Sequence, residues 1–313
     1  MYLSGGVVVS LLSGACLGVT PSKPLLWRRT PCSNLNVLPM NTGMRGNNGI
    51  YWGWNPDIEK GDNISAINMM TGRKASTVGI FSQINSPNGF DGHQLLRHLD
   101  EVKGSGAALI ASVMPNGLSF NEVTPKIAED IAKVVRQFTD QGVEVWLRFA
   151  HEMNYYVRPG TYRGNSTQFI KAWRTIHNAT KDIDGCLLFW CPNNAKLIDL
   201  MAEWWPGAEH VDIVGMDQYP SSLSATFKST YGAFYDAYAK KYNKHMAIPE
   251  TATKPDNATL KQAWVRALAS ADVRAEFPCL QSVTWFELHK SWDYRVVMGQ
   301  DKSVRDRTLS NFR

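Results

Sequence analysis

The stretch Trp146-Leu147-Arg148-Phe149-Ala150-His151-Glu152-Met153-Asn154 decides the predicted fold. Apolar residues surround one arginine, and the run then ends in a polar tetrad of His, Glu, Met and Asn. A β/α barrel delivers functional side chains in this way, at the carboxyl ends of buried strands. Residues 245–251 repeat the design, because they are also apolar and also reach a glutamate, Glu250. The two segments therefore predict parallel strands that carry Glu152 and Glu250 to one face.

The same alternation of short apolar runs and longer helical patterns extends along the chain. The predicted strands are residues 49–54, 77–81, 108–114, 143–149, 186–190, 211–216, 246–249 and 282–286. The predicted helices are residues 91–102, 126–139, 167–176, 225–242 and 260–277. Eight strands, each followed by a helix or a helix-like connection, predict a single-domain α/β protein with the (β/α)8 TIM-barrel fold.

The alternative fold is an open, doubly wound sheet. That fold would place a glycine-rich phosphate turn after its first strand. Here the first strand ends in Trp52-Gly53-Trp54-Asn55-Pro56, so two tryptophans stand where a phosphate-binding turn would lie. This segment favours the barrel.

Size and composition limit the classes of function. The chain has 313 residues, enough for one large barrel, and its 44% hydrophobic and 19% charged residues are typical of a globular protein. The net charge of +5 is modest and no Lys/Arg-rich run occurs, so we expect no nucleic-acid partner. After the N-terminus no apolar segment is long enough to cross a membrane. Eleven tryptophans and eleven tyrosines are compatible with sugar stacking, or with core packing alone.

The N-terminus predicts export from the cell. Residues 1–20 are small and apolar and resemble a signal peptide, although they lack a basic first segment. An unstructured or wrongly assigned N-terminus is the alternative. Sequons begin at Asn63, Asn165, Asn178 and Asn257, which also favours a secreted, extracellular glycoprotein. We expect residues 21–48 to form an extended lead-in and residues 49–313 the catalytic domain.

Four cysteines remain if Cys16 leaves with the signal peptide, and an even number fits disulfide bonds. Cys186 and Cys191 lie at opposite ends of one predicted strand, roughly 16 Å apart at ~3.3 Å per residue. They cannot pair with each other, since a disulfide needs Cα atoms within about 7 Å. The pairing of Cys32 and Cys279 is otherwise open, and four free thiols are the alternative. No cysteine or histidine spacing indicates a metal site.

Polar and aromatic side chains gather at the predicted strand ends. They are Trp54 on the first strand, Arg148, His151, Glu152, Asn154 and Tyr155 on the fourth, Trp190 and Asn193 on the fifth, Asp217 and Tyr219 on the sixth, Glu250 on the seventh, and Trp285 and Glu287 on the eighth. Two carboxyls across a barrel mouth are what glycosidic bond cleavage requires, and they stand ~5–5.5 Å apart in the retaining mechanism. One must stay protonated while the other is ionised, and Arg148 or Tyr219 is placed to hold the ionised one.

Each candidate also has a structural interpretation. A single glutamate after a strand is more often a surface loop residue, although two on suitable strands favour function. Arg148 is equally consistent with a structural ion pair to Glu144 or Asp217. His151 is consistent with a buried barrel histidine, and Trp190 and Trp285 with core residues.

The chain resembles family 26 glycoside hydrolases of the retaining (β/α)8 clan. The resemblance rests on residues 148–154, on Gly215-Met216-Asp217-Gln218-Tyr219, on Pro249-Glu250-Thr251 and on Trp285-Phe286-Glu287. It implies that Glu152 is the general acid/base, Glu250 the nucleophile, His151 and Tyr219 their neighbours, and Trp285 the floor beneath the sugar. Trp54, Trp190, Asn154, Tyr155 and Asp217 are the further expected substrate contacts. Mannan-cleaving members usually carry a tryptophan five residues after the acid/base, where this chain has Val157.

The expectation is therefore a secreted, retaining endo-β-glycanase that acts as a monomer on a polysaccharide, most simply β-1,4-mannan. A β-1,3/1,4-glucanase or a xylanase of the same family is the nearest alternative. A barrel that binds carbohydrate without turnover is an alternative of another class, and so is a metal-dependent hydrolase, which would need clustered ligands. No metal or organic cofactor is expected.

Overall fold

The protein is a closed barrel of eight parallel strands in chain order, with the last strand paired to the first. The computed structural model describes residue 32, residues 43–194 and residues 198–312. The predicted signal peptide and most of the predicted lead-in lie outside the described residues. The strands are β1 Tyr51–Pro56, β2 Thr77–Gln83, β3 Ala108–Met114, β4 Val145–Phe149, β5 Cys186–Trp190, β6 Ile213–Val214, β7 His245–Thr251 and β8 Leu280–Glu287. The predicted (β/α)8 fold is confirmed.

The sixth strand is shorter than predicted. Only two residues pair regularly on both sides, although residues 211–216 read as a strand. Beyond them the chain keeps single bridges, from Asp217 to Asn193 and from Gln218 to Thr251. The end of β6 therefore stays between its neighbours and carries its polar residues to the mouth of the barrel.

The helices that cover the barrel are α1 Ile64–Thr71, α2 His93–Leu96, α3 Leu99–Ser105, α4 Pro125–Thr139, α5 Met153–Tyr156, α6 Ser166–Thr180, α7 Asp199–Ala202, α8 Phe227–Phe234, α9 Ala258–Leu268, α10 Ala271–Glu276 and α11 Lys302–Leu309. The α8 helix continues as a π-helix over Tyr235–Lys240. Two predicted helices are split in two. Residues 91–102 fall on α2 and α3, and residues 260–277 on α9 and α10, where Ser270 caps a new start.

Three of the four sequon asparagines are helix N-caps. Asn63 accepts a hydrogen bond from the Ala66 amide, and Asn165 and Asn257 do the same at α6 and α9. Asparagine is among the preferred N-cap residues, since its side chain satisfies an amide that the helix leaves unpaired. These sequons therefore have a structural reason that is independent of glycosylation.

Two glycines allow the first strands to approach closely. A Cβ atom on Gly53 would lie 1.9 Å from the Thr77 hydroxyl, and one on Gly79 would lie 1.7 Å from the Asn55 side chain. The space lets the Asn55 amide donate a 3.0 Å hydrogen bond to the Pro249 carbonyl. The residue before Glu250 is thus fixed from β1, which lies two strands away in the barrel.

Cys32 and Cys279 form a disulfide with Cα atoms 4.8 Å apart, while Cys186 and Cys191 are buried cysteines outside this disulfide. The expectation that Cys186 and Cys191 do not pair with each other agrees with this arrangement. Among the residues described, no helix has the length and apolar character of a membrane span.

Candidate active site

The acidic residue of β4 sits in an unusual turn. Ala150 and Glu152 have left-handed backbone angles, with φ of 45° and 52°, which non-glycine residues rarely adopt. Hydrogen bonds to both neighbouring strands hold this turn. The Ala150 amide donates to Val113 at 2.8 Å, and the Glu152 amide donates to the Cys191 carbonyl at 2.8 Å. Strained backbone of this kind persists where surrounding contacts fix it, and it is frequent at functional sites.

A buried arginine joins β4 to the sixth and seventh strands. Arg148 donates to Glu250 at 2.5 Å and also to Asp217, and both pairs are buried. Burial alone would lower the pKa of Arg148, but Asp217, Cys191 and Glu250 raise it well above its usual value. A buried cation is tolerated when it is paired and hydrogen-bonded in this way. Of the two partners proposed for Arg148 from the sequence, Asp217 is the observed one.

Glu250 is held by hydrogen-bond donors from β4 and from the segment that follows β6. Besides Arg148, the Tyr219 hydroxyl donates to its second oxygen at 3.1 Å, and His151 Nε2 lies 3.9 Å from the first. Burial, then the charges of Arg148 and Lys290, hold the pKa of His151 well below its usual value. His151 therefore contributes a neutral ring at this position.

Glu152 has a different electrostatic environment. Burial and then repulsion from Glu250 raise its pKa from 4.5 to about 7, despite opposing effects from Asn193 and Arg148. The structure thus places Glu152, a carboxyl that holds a proton near neutral pH, beside Glu250. The carboxylate of Glu250 is bound by an arginine and a tyrosine. Paired carboxyls with separated pKa values are the requirement for acid and nucleophile in one site.

The other residues that were predicted to contact the substrate near the ends of β4 and β6 lie in different environments. Tyr155 is 49% exposed at the rim, where a ligand can reach it. Asn154 exchanges two hydrogen bonds with the backbone of Asn193, so its amide joins two loops. Asp217 is 1% exposed and is occupied by Arg148, which makes it a positioning group rather than the substrate contact expected from the sequence.

The structure does not bring the three predicted tryptophans to the site. Trp54, Trp190 and Trp285 are each 0% exposed. Trp285 stacks on Trp52 and donates to the Tyr294 carbonyl, which excludes a sugar floor at this position. The reason is the alternation of a strand, because Thr284 meets Thr77 inside the barrel and residue 285 must therefore point outward.

Other aromatic rings lie beside the groups around Glu250, and the sequence interpretation missed two of them, Phe286 and Phe81. Phe286 lies 5.7 Å from the ring of Tyr219, and Phe81 lies 5.6 Å from the ring of His151. Tyr156 packs against His151 at the same distance. Counting in steps of two from Thr284 would have identified Phe286, whereas nothing in the sequence distinguishes Phe81 from a core residue.

Glu287, at the end of β8, has a structural environment. Its buried carboxylate accepts hydrogen bonds from the amides of Val296, Val297 and Met298. Burial raises its pKa to about 7 against the effect of these bonds. Asp293 and Arg295 form an ion pair at 2.8 Å in the same loop. These residues shape the loop after β8.

A cavity of about 930 Å³ lies at the opposite end of the strands from the two carboxyls. It opens beside Cys32 and Cys279 and is lined by the π-helix and the segment before β8. None of the predicted site residues lines it, so its size carries no argument for the chemistry.

Comparison with known proteins agrees with this geometry. The family model "Glycosyl hydrolase family 26" matches residues 111–293, which include both carboxyls. No curated protein is similar enough in sequence to match.

Solved structures share the fold at low sequence identity. A mannanase from Bacillus subtilis is 15% identical, with a TM-score of 0.57 over 84% of this chain and 89% of that one. An endo-β-1,4-mannanase double mutant from Cellulomonas fimi is 16% identical, with a TM-score of 0.64 over 84% and 70%. A β-mannanase from Bacteroides ovatus is 14% identical, with a TM-score of 0.61 over 83% and 87%. Since the family model spans more than half of the chain and covers the paired glutamates, the chain belongs to glycosyl hydrolase family 26 and is a glycoside hydrolase.

Proposed function

We propose that this glycoside hydrolase is a retaining, endo-acting β-glycanase, with β-1,4-mannan as its first candidate substrate. The observation that carries the proposal is the contrast between Glu152, whose pKa is about 7, and Glu250, which is bound by Arg148 and Tyr219. The similar solved structures that are described as mannanases support the choice of polymer. Val157, where mannan-cleaving members usually carry a tryptophan, keeps β-glucan and xylan as alternatives.

The two carboxyls would act in two displacements. Glu250 attacks the anomeric carbon while Glu152 gives its proton to the departing oxygen, which leaves a covalent glycosyl–enzyme ester. Glu152, now ionised, removes a proton from water as the water attacks the same carbon and releases Glu250. Arg148 and Tyr219 each donate a hydrogen bond to the nucleophile and keep it oriented between turnovers.

Replacement of the nucleophile is the decisive experiment. Glu250→Ala should abolish hydrolysis, and added azide should restore some turnover with a product of inverted configuration. Glu152→Ala should lower kcat/KM on natural polymers by about 10²–10⁴-fold and spare substrates with good leaving groups. Glu129→Ala, an exposed glutamate on α4, is the matched control. Full activity of Glu250→Ala would exclude this mechanism, and retained binding without turnover in the wild type would favour a carbohydrate-binding barrel.

We also propose that the enzyme is secreted. The Cys32–Cys279 disulfide supports this, because such bonds persist in oxidising compartments. Expression of the full chain, followed by N-terminal sequencing of protein from the medium, tests it. Retention of the whole chain inside the cell would contradict the proposal.

A further inference from the structure

Two lysines stand over the aromatic rings that border Glu250. Lys254 Nζ lies 4.8 Å from the ring centre of Tyr219, the residue that donates to Glu250. Lys290 Nζ lies 5.1 Å from the ring of Phe286 and 6.0 Å from that of Phe81. Both ammonium groups are therefore at the mouth of the site, on the side formed by the seventh and eighth strands.

These two lysines differ from the other lysine and arginine side chains nearby, each of which has an acidic partner. Lys60 pairs with Asp57, Lys261 with Asp256, and Arg295 with Asp293. Lys254 and Lys290 are exposed, and neither forms an ion pair within residues 43–194 and 198–312. Two positive charges beside the nucleophile thus remain available to a ligand.

The segment that carries Lys290 is well anchored. In residues 288–294 the Tyr294 amide donates to the Leu288 carbonyl, and the His289 amide donates to Asp57 at 2.9 Å. Trp292, in the same segment, is 43% exposed. An exposed indole offers a face for the apolar side of a sugar, and the neighbouring ammonium adds an interaction with an anionic group.

On the basis of the proposed function, we propose that the sugar bound over Phe286 and Tyr219 carries a carboxylate. The proposed β-glycan, whether a mannan, a glucan or a xylan, then carries uronic acid residues in its backbone or branches, and Lys254 and Lys290 are the cations that bind them. A wholly neutral polymer would offer neither ammonium group an anionic partner. The carboxylate is bound and takes no part in bond cleavage.

Matched polymers test this specificity. One is a neutral β-glycan that the enzyme cleaves, and the other is the same polymer with part of its 6-hydroxymethyl groups oxidised to carboxylates. The measured quantity is the ratio of kcat/KM for the oxidised polymer to that for the neutral one. We expect the ratio to exceed one and to fall with added salt, because exposed ion pairs are screened. Lys254→Gln and Lys290→Gln should each lower it by about fivefold.

The control is Lys171→Gln, which removes the same charge from an exposed position on α6 and should not change the ratio. Calorimetric titration with a uronic acid oligosaccharide measures binding without turnover. Turnover of β-glycans with a ratio that does not respond to the lysine variants would overturn this inference and leave the proposed function intact. Lysine-dependent binding without any hydrolysis would show an anion-binding site and refute the hydrolytic mechanism. If neither hydrolysis nor lysine-dependent binding is observed, both the proposed function and this inference are refuted.

Discussion

At the scale of single residues, the proton on Glu152 governs the expected pH dependence. Its pKa is raised to about 7, by burial first and then by the charge of Glu250. A general acid acts only in its protonated form, so kcat/KM on a natural polymer should decline as pH rises through about 7. A pH profile from 4 to 9 measures this. The decline should weaken with a substrate whose leaving group needs no proton, and a flat profile above neutrality would contradict the acid role.

Cys191 joins the surroundings of both carboxyls. Its carbonyl accepts the Glu152 amide, and its thiol lies 3.3 Å from Asp217, the partner of Arg148. We predict that Cys191→Ala lowers kcat about tenfold, because Asp217 loses a donor. Cys191→Ser, which supplies a hydroxyl donor, should recover most of that loss.

The readouts for Cys191 are kcat, KM and the acid side of the pH profile. KM should change little, since the thiol is buried and touches no substrate. Cys186→Ala is the matched control, because this buried thiol lies at the other end of β5. Equal activity of Cys191→Ala and the wild type would remove Cys191 from the positioning network.

The sequence was sufficient to predict that Arg148, His151, Tyr219 and Glu250 meet, because each follows or ends a recognisable strand. It did not predict whether a tryptophan on a strand would face the interior of the barrel or the outer helices. Trp285 and Phe286 are adjacent, and only the phase of the strand decides which one faces the site. That phase depends on pairing partners such as Thr284 and Thr77, which the sequence does not show.

At the scale of elements, the loop after β8 depends on Glu287. Its carboxylate accepts amides from three consecutive residues, and its removal would leave those amides buried without partners. We predict that Glu287→Ala lowers the free energy of unfolding by about 3 kcal/mol. Thermal or urea unfolding measures it, with the exposed Glu276→Ala as the control. A loss no larger than that of the control would show that water replaces the carboxylate.

Helix capping explains one error at this scale. The apolar period runs across residues 260–277, so it predicts one helix, yet Ser270 accepts the Asp272 amide and starts a second. An N-cap signal inside a periodic run is easily missed, because serine is also common within loops. The helices α1 and α11 were not predicted, and α11 is polar apart from Val304 and Leu309.

At the scale of the whole molecule, the alternation of strands and helices was enough to predict a closed barrel. A disulfide was expected from the sequence, but its pairing was left open, because Cys32 and Cys279 lie 247 residues apart and meet only once the barrel has closed. By reducing the freedom of the unfolded chain, a bond over such a distance stabilises the fold. We predict that replacing both Cys32 and Cys279 by alanine lowers the free energy of unfolding by about 2–5 kcal/mol.

Unfolding with and without a reducing agent measures the contribution of this bond. The wild type should lose stability on reduction, and the double alanine variant should not respond further, since its remaining described cysteines form no disulfide. Activity at moderate temperature should persist in both, because the bond lies at the opposite end of the strands from the carboxyls. A reduced wild type as stable as the oxidised one would show that the barrel needs no such crosslink.

The attachment of residues 288–294 has a practical consequence. Asp57 and the hydrogen bond from Tyr294 to Leu288 hold this segment at its base, whereas Lys290 and Trp292 are exposed. The tip of this segment, which carries Lys290 and Trp292, can therefore be exchanged by protein engineering. Exchange of that tip for the equivalent one of a relative should redirect which polymer is chosen while the machinery that breaks the bond stays as it is.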